Sequence, residues 1–161
     1  MTTETTMAPD RLEQRARMMR WVNVPMRVVL GLPFKTPLSR RLMLVSYTGR
    51  RTGQAYRQPV SYVRDGEALL TPGGGRWKLN LREGEQVRLR LGGRDVMARP
   101  ELVRDVDEVD RLLRQIMTKN PRLASFVPFV ESDGTIDRTK LETALDHGFC
   151  VVRGHLERTQ A

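Results

Sequence analysis

The stretch LMLVSYTGRRTGQAYRQPVSYV, residues 42–63, decides the fold. It joins an apolar run (42–47) to a second strand-like run (55–63) through a glycine-flanked turn that carries Arg50 and Arg51. Two such runs separated by a glycine turn are typical of paired antiparallel strands. We therefore predict a β-hairpin here. A turn needs its glycines but does not need two adjacent long cations, so the stretch also raises the question of which anion they bind.

The residues that follow predict a meander of further strands. RDGE (64–67) contains Asp-Gly, a strong hairpin signal, and EALLT returns as the next strand. After the loop TPGGG (71–75), RWKLNLRE (76–83) is predicted to form one short helix, and the alternating segment 86–103 a half-exposed hairpin. FCVVRGHL (149–156) is predicted to be the closing strand. About six mainly antiparallel strands in hairpin order suit a small closed or split barrel.

Helices are predicted to flank this sheet. Residues 105–121 have an amphipathic pattern with acids at the start, and residues 135–148 form a second helical pattern. Residues 10–31 predict an N-terminal helical segment, and we expect residues 1–9 before it to be disordered. The predicted class is α+β, in a single domain over residues 1–161.

Composition and charge narrow the class of protein further. With 39% apolar and 29% charged residues, the chain has a soluble globular composition. No run looks like a signal peptide or approaches the roughly 20 apolar residues of a membrane span, so we expect a cytoplasmic protein. The net charge of +9 is concentrated in residues 1–57, which hold 11 Lys/Arg against 3 Asp/Glu. This asymmetry favours an anionic partner.

Catalysis by amino-acid side chains alone finds little support. His147 and His155 have no second metal ligand at a recognisable spacing, so we expect no metal site. No GxSxG motif for a serine nucleophile is present. Cys150 lies within FCVV, a context typical of a small buried apolar residue. Because it is the one cysteine of the sequence, an internal disulfide is excluded. If the protein is an enzyme, a bound cofactor supplies the reactivity.

Two glycine loops are the candidate binding elements. In TGRRTG (48–53), backbone amides and two guanidinium groups could hold a phosphate, although GxxxxGK[ST] is not matched. TPGGG, followed by Trp77, is not a dinucleotide fingerprint, because it does not open a βαβ unit. Each loop alone is also explained by a solvated turn. Together, on neighbouring strands, they predict one groove for a flat anionic molecule.

The motif set resembles the deazaflavin-dependent nitroreductase family, also described as deazaflavin-dependent quinone reductases. The resemblance spans residues 42–103 and rests on three motifs in order. These are GRRTGQAYRQPVSYVRDGE, a glycine pair followed by W-x-x-N-L, and the VRLRLGGR hairpin. It implies an FMN-binding split-barrel-like fold that binds coenzyme F420, an 8-hydroxy-5-deazaflavin with a phosphodiester and a polyglutamate tail; FMN is less favoured. The chain departs from many relatives at Tyr56, where they have arginine, and at Ser61, where they have tyrosine.

The resemblance also implies site residues. Arg50 and Arg51 would hold the phosphate or the tail carboxylates, and Trp77 and Asn80 would lie beside the flat ring. The full set of implied cofactor contacts is Gly49, Arg50, Arg51, Thr52, Gly53, Gln58, Pro59, Thr71, Gly73, Gly74, Trp77 and Asn80. The implied reaction is hydride transfer from reduced F420 to an electrophilic small molecule, such as a quinone, nitro or enone compound. A tyrosine or solvent would supply the proton, and Tyr62 is the candidate donor; the alternative is that Tyr62 is only a half-buried tyrosine of the barrel.

Other functions and partners stay open at this point. The alternative function is a non-catalytic binding protein on the same barrel, carrying a flavin, a haem or a lipid. Nucleic acid is disfavoured as a partner, because aromatic residues make up only 6% of the chain and no basic stripe is interleaved with them. Residues 10–31 could rest on a membrane surface or cover the core of their own domain. A homodimer and a monomer are both compatible with a split barrel.

Overall fold

The computed structural model describes residues 37–73 and 75–158, which form one antiparallel sheet of seven strands. The strands are β1 (Leu42–Thr48), β2 (Ala55–Ser61), β3 (Val63–Asp65), β4 (Ala68–Gly73), β5 (Val87–Leu91), β6 (Arg94–Val103) and β7 (Cys150–Leu156). Two α-helices, α1 (Val106–Lys119) and α2 (Arg138–Asp146), accompany the sheet. Short 3-10 turns cover Leu38–Arg40, Arg76–Asn80 and Pro121–Phe126.

The order of the strands makes the sheet curl. Across the sheet they follow the order β2-β1-β5-β6-β7-β4-β3, so β2 and β3 lie at opposite edges. Yet only Tyr62 separates the end of β2 from the start of β3 along the chain. Because consecutive Cα atoms are about 3.8 Å apart, the two edges must meet at this point. The predicted split-barrel class, with flanking helices, is confirmed.

One strand prediction is wrong in detail. The run 55–63 was predicted as one strand, whereas β2 ends at Ser61 and β3 begins at Val63. The Tyr62 N–H donates to the Arg41 carbonyl oxygen (3.1 Å), outside the regular ladder, and the chain then joins the other edge of the sheet. This switch accounts for seven strands where about six were predicted.

The sheet separates two apolar clusters. Leu69 and Leu70 are neighbours in β4 but belong to different clusters, because side chains alternate between the faces of a strand. The cluster containing Leu69 draws buried residues from six of the described strands and fills the barrel interior. The cluster containing Leu70 lies outside the barrel, where it packs against the buried face of α1, formed by Val109, Leu112, Leu113 and Ile116.

The helical predictions agree with the structure except in one segment. The patterns at 105–121 and 135–148 correspond to α1 and α2. The predicted helix 76–83 is only a 3-10 turn, which ends where Leu81 becomes extended. The predicted segments 1–9 and 10–31 lie outside the described residues.

Candidate functional site

The turn between β1 and β2, residues 49–53, is here named the arginine turn. Two backbone hydrogen bonds close it: the Gly49 N–H donates to the Gln54 carbonyl oxygen (2.8 Å), and the Gly53 N–H donates to the Gly49 carbonyl oxygen (2.9 Å). Gly53 has a φ of 66°, in the left-handed region that favours glycine. The closed turn leaves Arg50 and Arg51 exposed at its tip.

Gly49 is required by close packing. A Cβ atom at this position would lie 2.8 Å from both Thr52 Oγ1 and Tyr56 Cε2. The Tyr56 hydroxyl donates to Gln54 Oε1 (3.3 Å), and its ring stacks on Tyr47 with the centroids 5.5 Å apart. Tyr56 thus supports the arginine turn through its ring and its hydroxyl group.

Asn80 joins the arginine turn to the tryptophan segment. The Arg50 backbone N–H donates to Asn80 Oδ1 (3.0 Å), and the Arg50 guanidinium reaches the Leu81 carbonyl oxygen at 3.5 Å. Asn80 Nδ2 in turn donates to the Trp77 carbonyl oxygen (3.5 Å). Two motifs that are 30 residues apart in sequence therefore meet at one corner of the barrel.

A cleft of about 330 Å³ lies at this corner and is here named the corner cleft. Arg50, Arg82 and Arg88 line it, against a single acidic side chain, Glu85, among the described lining residues. Glu85 pairs with Arg82 at 3.6 Å, and within residues 37–73 and 75–158 neither Arg50 nor Arg88 forms an ion pair. The corner cleft therefore carries an excess of positive charge and suits an anion.

Thr71 and Trp77 lie inside the barrel. They are 2% and 8% exposed, and both line a small interior cavity of about 20 Å³. Thr71 Oγ1 has no hydrogen-bond partner among the described residues, which is uncommon for a buried hydroxyl. Leu81, Val87 and Pro100 line both this cavity and the corner cleft and form the wall between them.

Lys78 supports the glycine loop beside the site, and the sequence motifs did not single it out. Its side chain is buried, and its Nζ donates to the Gly73 carbonyl oxygen at the start of the glycine loop. Gly73 itself packs closely on β7, since a Cβ there would lie 2.8 Å from the Cys150 carbonyl oxygen. In a W-x-x-N pattern the two middle positions carry no signal, so only the fold reveals this contact. Gly74 lies outside the described residues.

We expect Lys78→Met to destabilise the protein by about 1–3 kcal/mol, because it leaves the Gly73 carbonyl group without its donor. Urea unfolding measures the change. Lys140→Met, at an exposed surface pair, is the matched control and should have little effect. Equal stability of the two variants would contradict the role assigned to Lys78.

The structure does not bring Gln58 and Pro59 to the corner cleft. They lie in the middle of β2, at an edge of the sheet, where a proline is tolerated because it removes no ladder bond from a central strand. Gln58 Nε2 contacts the Pro59 carbonyl oxygen at 3.4 Å.

Tyr62 lies at the other end of β1 from the arginine turn. Its hydroxyl donates to the Ser39 carbonyl oxygen (3.0 Å). Burial raises the pKa of the Tyr62 phenol, and the nearby Arg64 offsets part of this effect. A hydroxyl that is held by a carbonyl and has a raised pKa is a weak acid.

The other groups singled out for chemistry give no further site. Cys150 is buried, as its apolar neighbours predicted, and burial raises the pKa of its thiol. Among the described residues no three His, Cys, Asp or Glu side chains are grouped as metal ligands would be. No helix within these residues is both long and apolar enough to span a membrane.

The fold is a split barrel, and its corner cleft carries an excess of positive charge. The family model described as F420H(2)-dependent quinone reductase matches residues 16–133. The chain belongs to this family, and its cofactor is coenzyme F420. Arg50 and Arg88, which lack ion-pair partners in the described part of the chain, and the unpartnered Thr71 hydroxyl fit a ligand of this kind.

Several solved structures are similar to this chain at low sequence identity. One, described as a domain-swapped dimer, is 14% identical with a TM-score of 0.51 over 84% of this chain and 98% of that one. An F420-H2 dependent reductase, FDR-A, is 13% identical with a TM-score of 0.49 over 71% and 94%. A FAD-binding protein from Mesorhizobium loti is 14% identical with a TM-score of 0.49 over 75% and 85%. No protein with curated annotation matches this chain.

Proposed function

We propose that the protein transfers a hydride from reduced coenzyme F420 to a small electrophilic acceptor of the quinone, nitro or enone class. The observation that carries the proposal is the bond from Arg50 to Asn80, which unites the arginine turn and the tryptophan segment at one cationic cleft. Family membership supports F420 as the hydride source.

In this proposal the chain binds and orients the coenzyme. Arg50 and Arg51 hold its phosphodiester or its tail carboxylates, because guanidinium groups bind such oxyanions with paired hydrogen bonds. Gly49, Thr52 and Gly53 keep the arginine turn in shape for that contact. The bound coenzyme supplies the hydride, and the protein contributes orientation and exclusion of water.

The ring-binding part of the proposal rests on the barrel interior. Thr71 and Trp77 line the interior cavity, Asn80 lines the corner cleft, and the Thr71 hydroxyl is a buried group without a hydrogen-bond partner among the described residues. Gly73 and Gly74 belong to the loop beside them. Gln58 and Pro59 complete the proposed contacts from β2, although they do not line the corner cleft.

Reduced F420 tests the proposal directly. Reduced F420 is mixed with one acceptor (menadione, a nitroaromatic compound or an enone), with and without the protein. We expect the protein to speed up the oxidation of F420. The absorption of the oxidised deazaflavin, which returns as the reaction proceeds, measures the rate. Reduced FMN is the control. If F420 binds with saturation but none of the acceptors is reduced, the protein is instead a non-catalytic carrier on the same barrel.

Tyr62→Phe tests the assignment of Tyr62 as proton donor. We expect a loss of about 1 kcal/mol in stability, because the hydrogen bond to Ser39 disappears. We also expect the rate per bound F420 to stay within about twofold, since the hydroxyl is held at the far end of β1 from the corner cleft. A fall of about 100-fold or more in that rate, without a change in F420 affinity, would support Tyr62 as the donor.

Assembly and location complete the proposal. We propose a single domain, because one sheet supports both apolar clusters. We also propose that the protein is cytoplasmic. A fold neighbour is described as a domain-swapped dimer, which favours a homodimer here, and light scattering after gel filtration tests it. Co-sedimentation with liposomes, with and without residues 1–31, tests peripheral membrane contact through residues 10–31.

A further inference from the structure

A second and larger cleft, here named the cationic cleft, lies at the opposite end of β1 from the arginine turn. Its volume is about 750 Å³. It forms where the residues before β1, the Tyr62 junction, the β5–β6 turn and the end of α1 meet. The antiparallel pairing of Leu44 with Arg90 and of Ser46 with Arg88 fixes this arrangement, because it places the end of β5 beside the start of β1.

The charges around this cleft all have one sign. Five cationic side chains line it: Arg40, Arg41, Arg64, Arg94 and Lys119. No Asp or Glu occurs among its described lining residues. All five residues are exposed, and Lys119 Nζ also donates to the Arg64 carbonyl oxygen.

These cations differ from most others on the surface. Elsewhere in the described residues, ten lysines and arginines form ion pairs: Arg82, Arg90, Arg99, Arg104, Arg111, Arg114, Arg138, Lys140, Arg153 and Arg158. In the same part of the chain none of the five cations of the cationic cleft does. Like charges gathered in one concavity repel each other and attract a multivalent anion.

The floor of the cleft is apolar. Tyr62, Val63, Leu91 and Val96 line it between the charged groups, and Val63 is buried while the other three are partly buried. The Tyr62 ring is fixed there by the bond from its hydroxyl to Ser39. A cationic rim over an apolar floor, at a volume typical of small-molecule sites, suits an anionic head on an apolar body.

We propose that the cationic cleft binds an organic diphosphate: a small molecule with a diphosphate group on an apolar body, either free in solution or presented as a lipid headgroup. The diphosphate supplies several oxyanions for the guanidinium forks, and the apolar body covers the floor. The site is separate from the proposed F420 site and does not depend on it.

Titration calorimetry with inorganic pyrophosphate and with geranyl diphosphate tests this proposal. We expect both to bind, geranyl diphosphate more tightly because of the apolar floor, and Arg40→Glu/Arg94→Glu to weaken both at least tenfold. Arg57→Glu/Arg111→Glu is the control: it changes the net charge equally, at exposed residues outside the cleft, and should change affinity less than threefold.

Four outcomes would overturn the proposal. Absence of binding would show that the cleft is not a diphosphate site, and equal weakening by the control variant would show only general attraction to a basic protein. A loss of F420 affinity in Arg40→Glu/Arg94→Glu would assign the cleft to the coenzyme, and retention on duplex DNA that this variant abolishes would assign it to nucleic acid. If inorganic pyrophosphate and geranyl diphosphate both bind, a further comparison distinguishes a lipid headgroup from a free diphosphate. It compares the affinity for phosphatidylcholine vesicles that carry a polyprenyl diphosphate with the affinity for soluble geranyl diphosphate.

Discussion

Arg50→Glu/Arg51→Glu is expected to lower the affinity for coenzyme F420 by about 100-fold or more, because two charge-assisted contacts to its anionic groups become repulsive. Both side chains are exposed at the tip of the arginine turn. The bond from Arg50 to Asn80 uses the backbone N–H, so the substitution leaves this link between the two motifs in place. Fluorescence titration of F420 measures the change.

The control for this experiment carries the same change in charge elsewhere. Arg57→Glu/Arg111→Glu alters two exposed arginines that do not line the corner cleft. We expect it to shift F420 affinity only slightly, through long-range electrostatics that added salt suppresses. Equal affinities of the two variants would remove the proposed role of Arg50 and Arg51.

Trp77→Ala is expected to destabilise the protein by about 3–5 kcal/mol, the usual cost of truncating a large buried aromatic residue. The indole is 8% exposed and packs in the barrel interior, close enough to Gly75 that a Cβ there would lie 2.7 Å from Trp77 Cδ1. Urea unfolding measures the loss.

A second substitution, at the same position, tests how much of this stability comes from a flat aromatic ring. Trp77→Phe should keep most of the stability, since it preserves a flat apolar ring at the same position. If Trp77→Ala costs less than about 1 kcal/mol, the indole does not support the barrel interior as the structure indicates.

The sequence predicted the strands well because their signals are local. Alternation in 86–103 and the Asp-Gly pair at 65–66 indicate hairpins without reference to the rest of the chain, and β5, β6 and the β3–β4 turn follow them. The change of sheet edge at Tyr62 was missed, because an uninterrupted strand-like pattern contains no sign of which neighbour the backbone pairs with.

In the candidate site, too, local motifs could be predicted from the sequence, whereas contacts between distant residues could not. The arginine turn and the tryptophan segment were predicted from their residue types, but the contact between them depends on Asn80, which is 30 residues away from Arg50. Lys78 had no recognisable motif, because its role comes from a single backbone carbonyl group that the fold brings to it. The cationic cleft likewise forms only when four separate segments meet.

Fluorescence titration of the wild-type protein with coenzyme F420, with FMN as the comparison, tests most directly whether the corner cleft holds an acidic deazaflavin. Saturable F420 binding that weakens as salt is added, with much weaker FMN binding under the same conditions, is the predicted result. FMN binding as tight as that of F420, or no F420 binding by protein that unfolds cooperatively in urea, would contradict it.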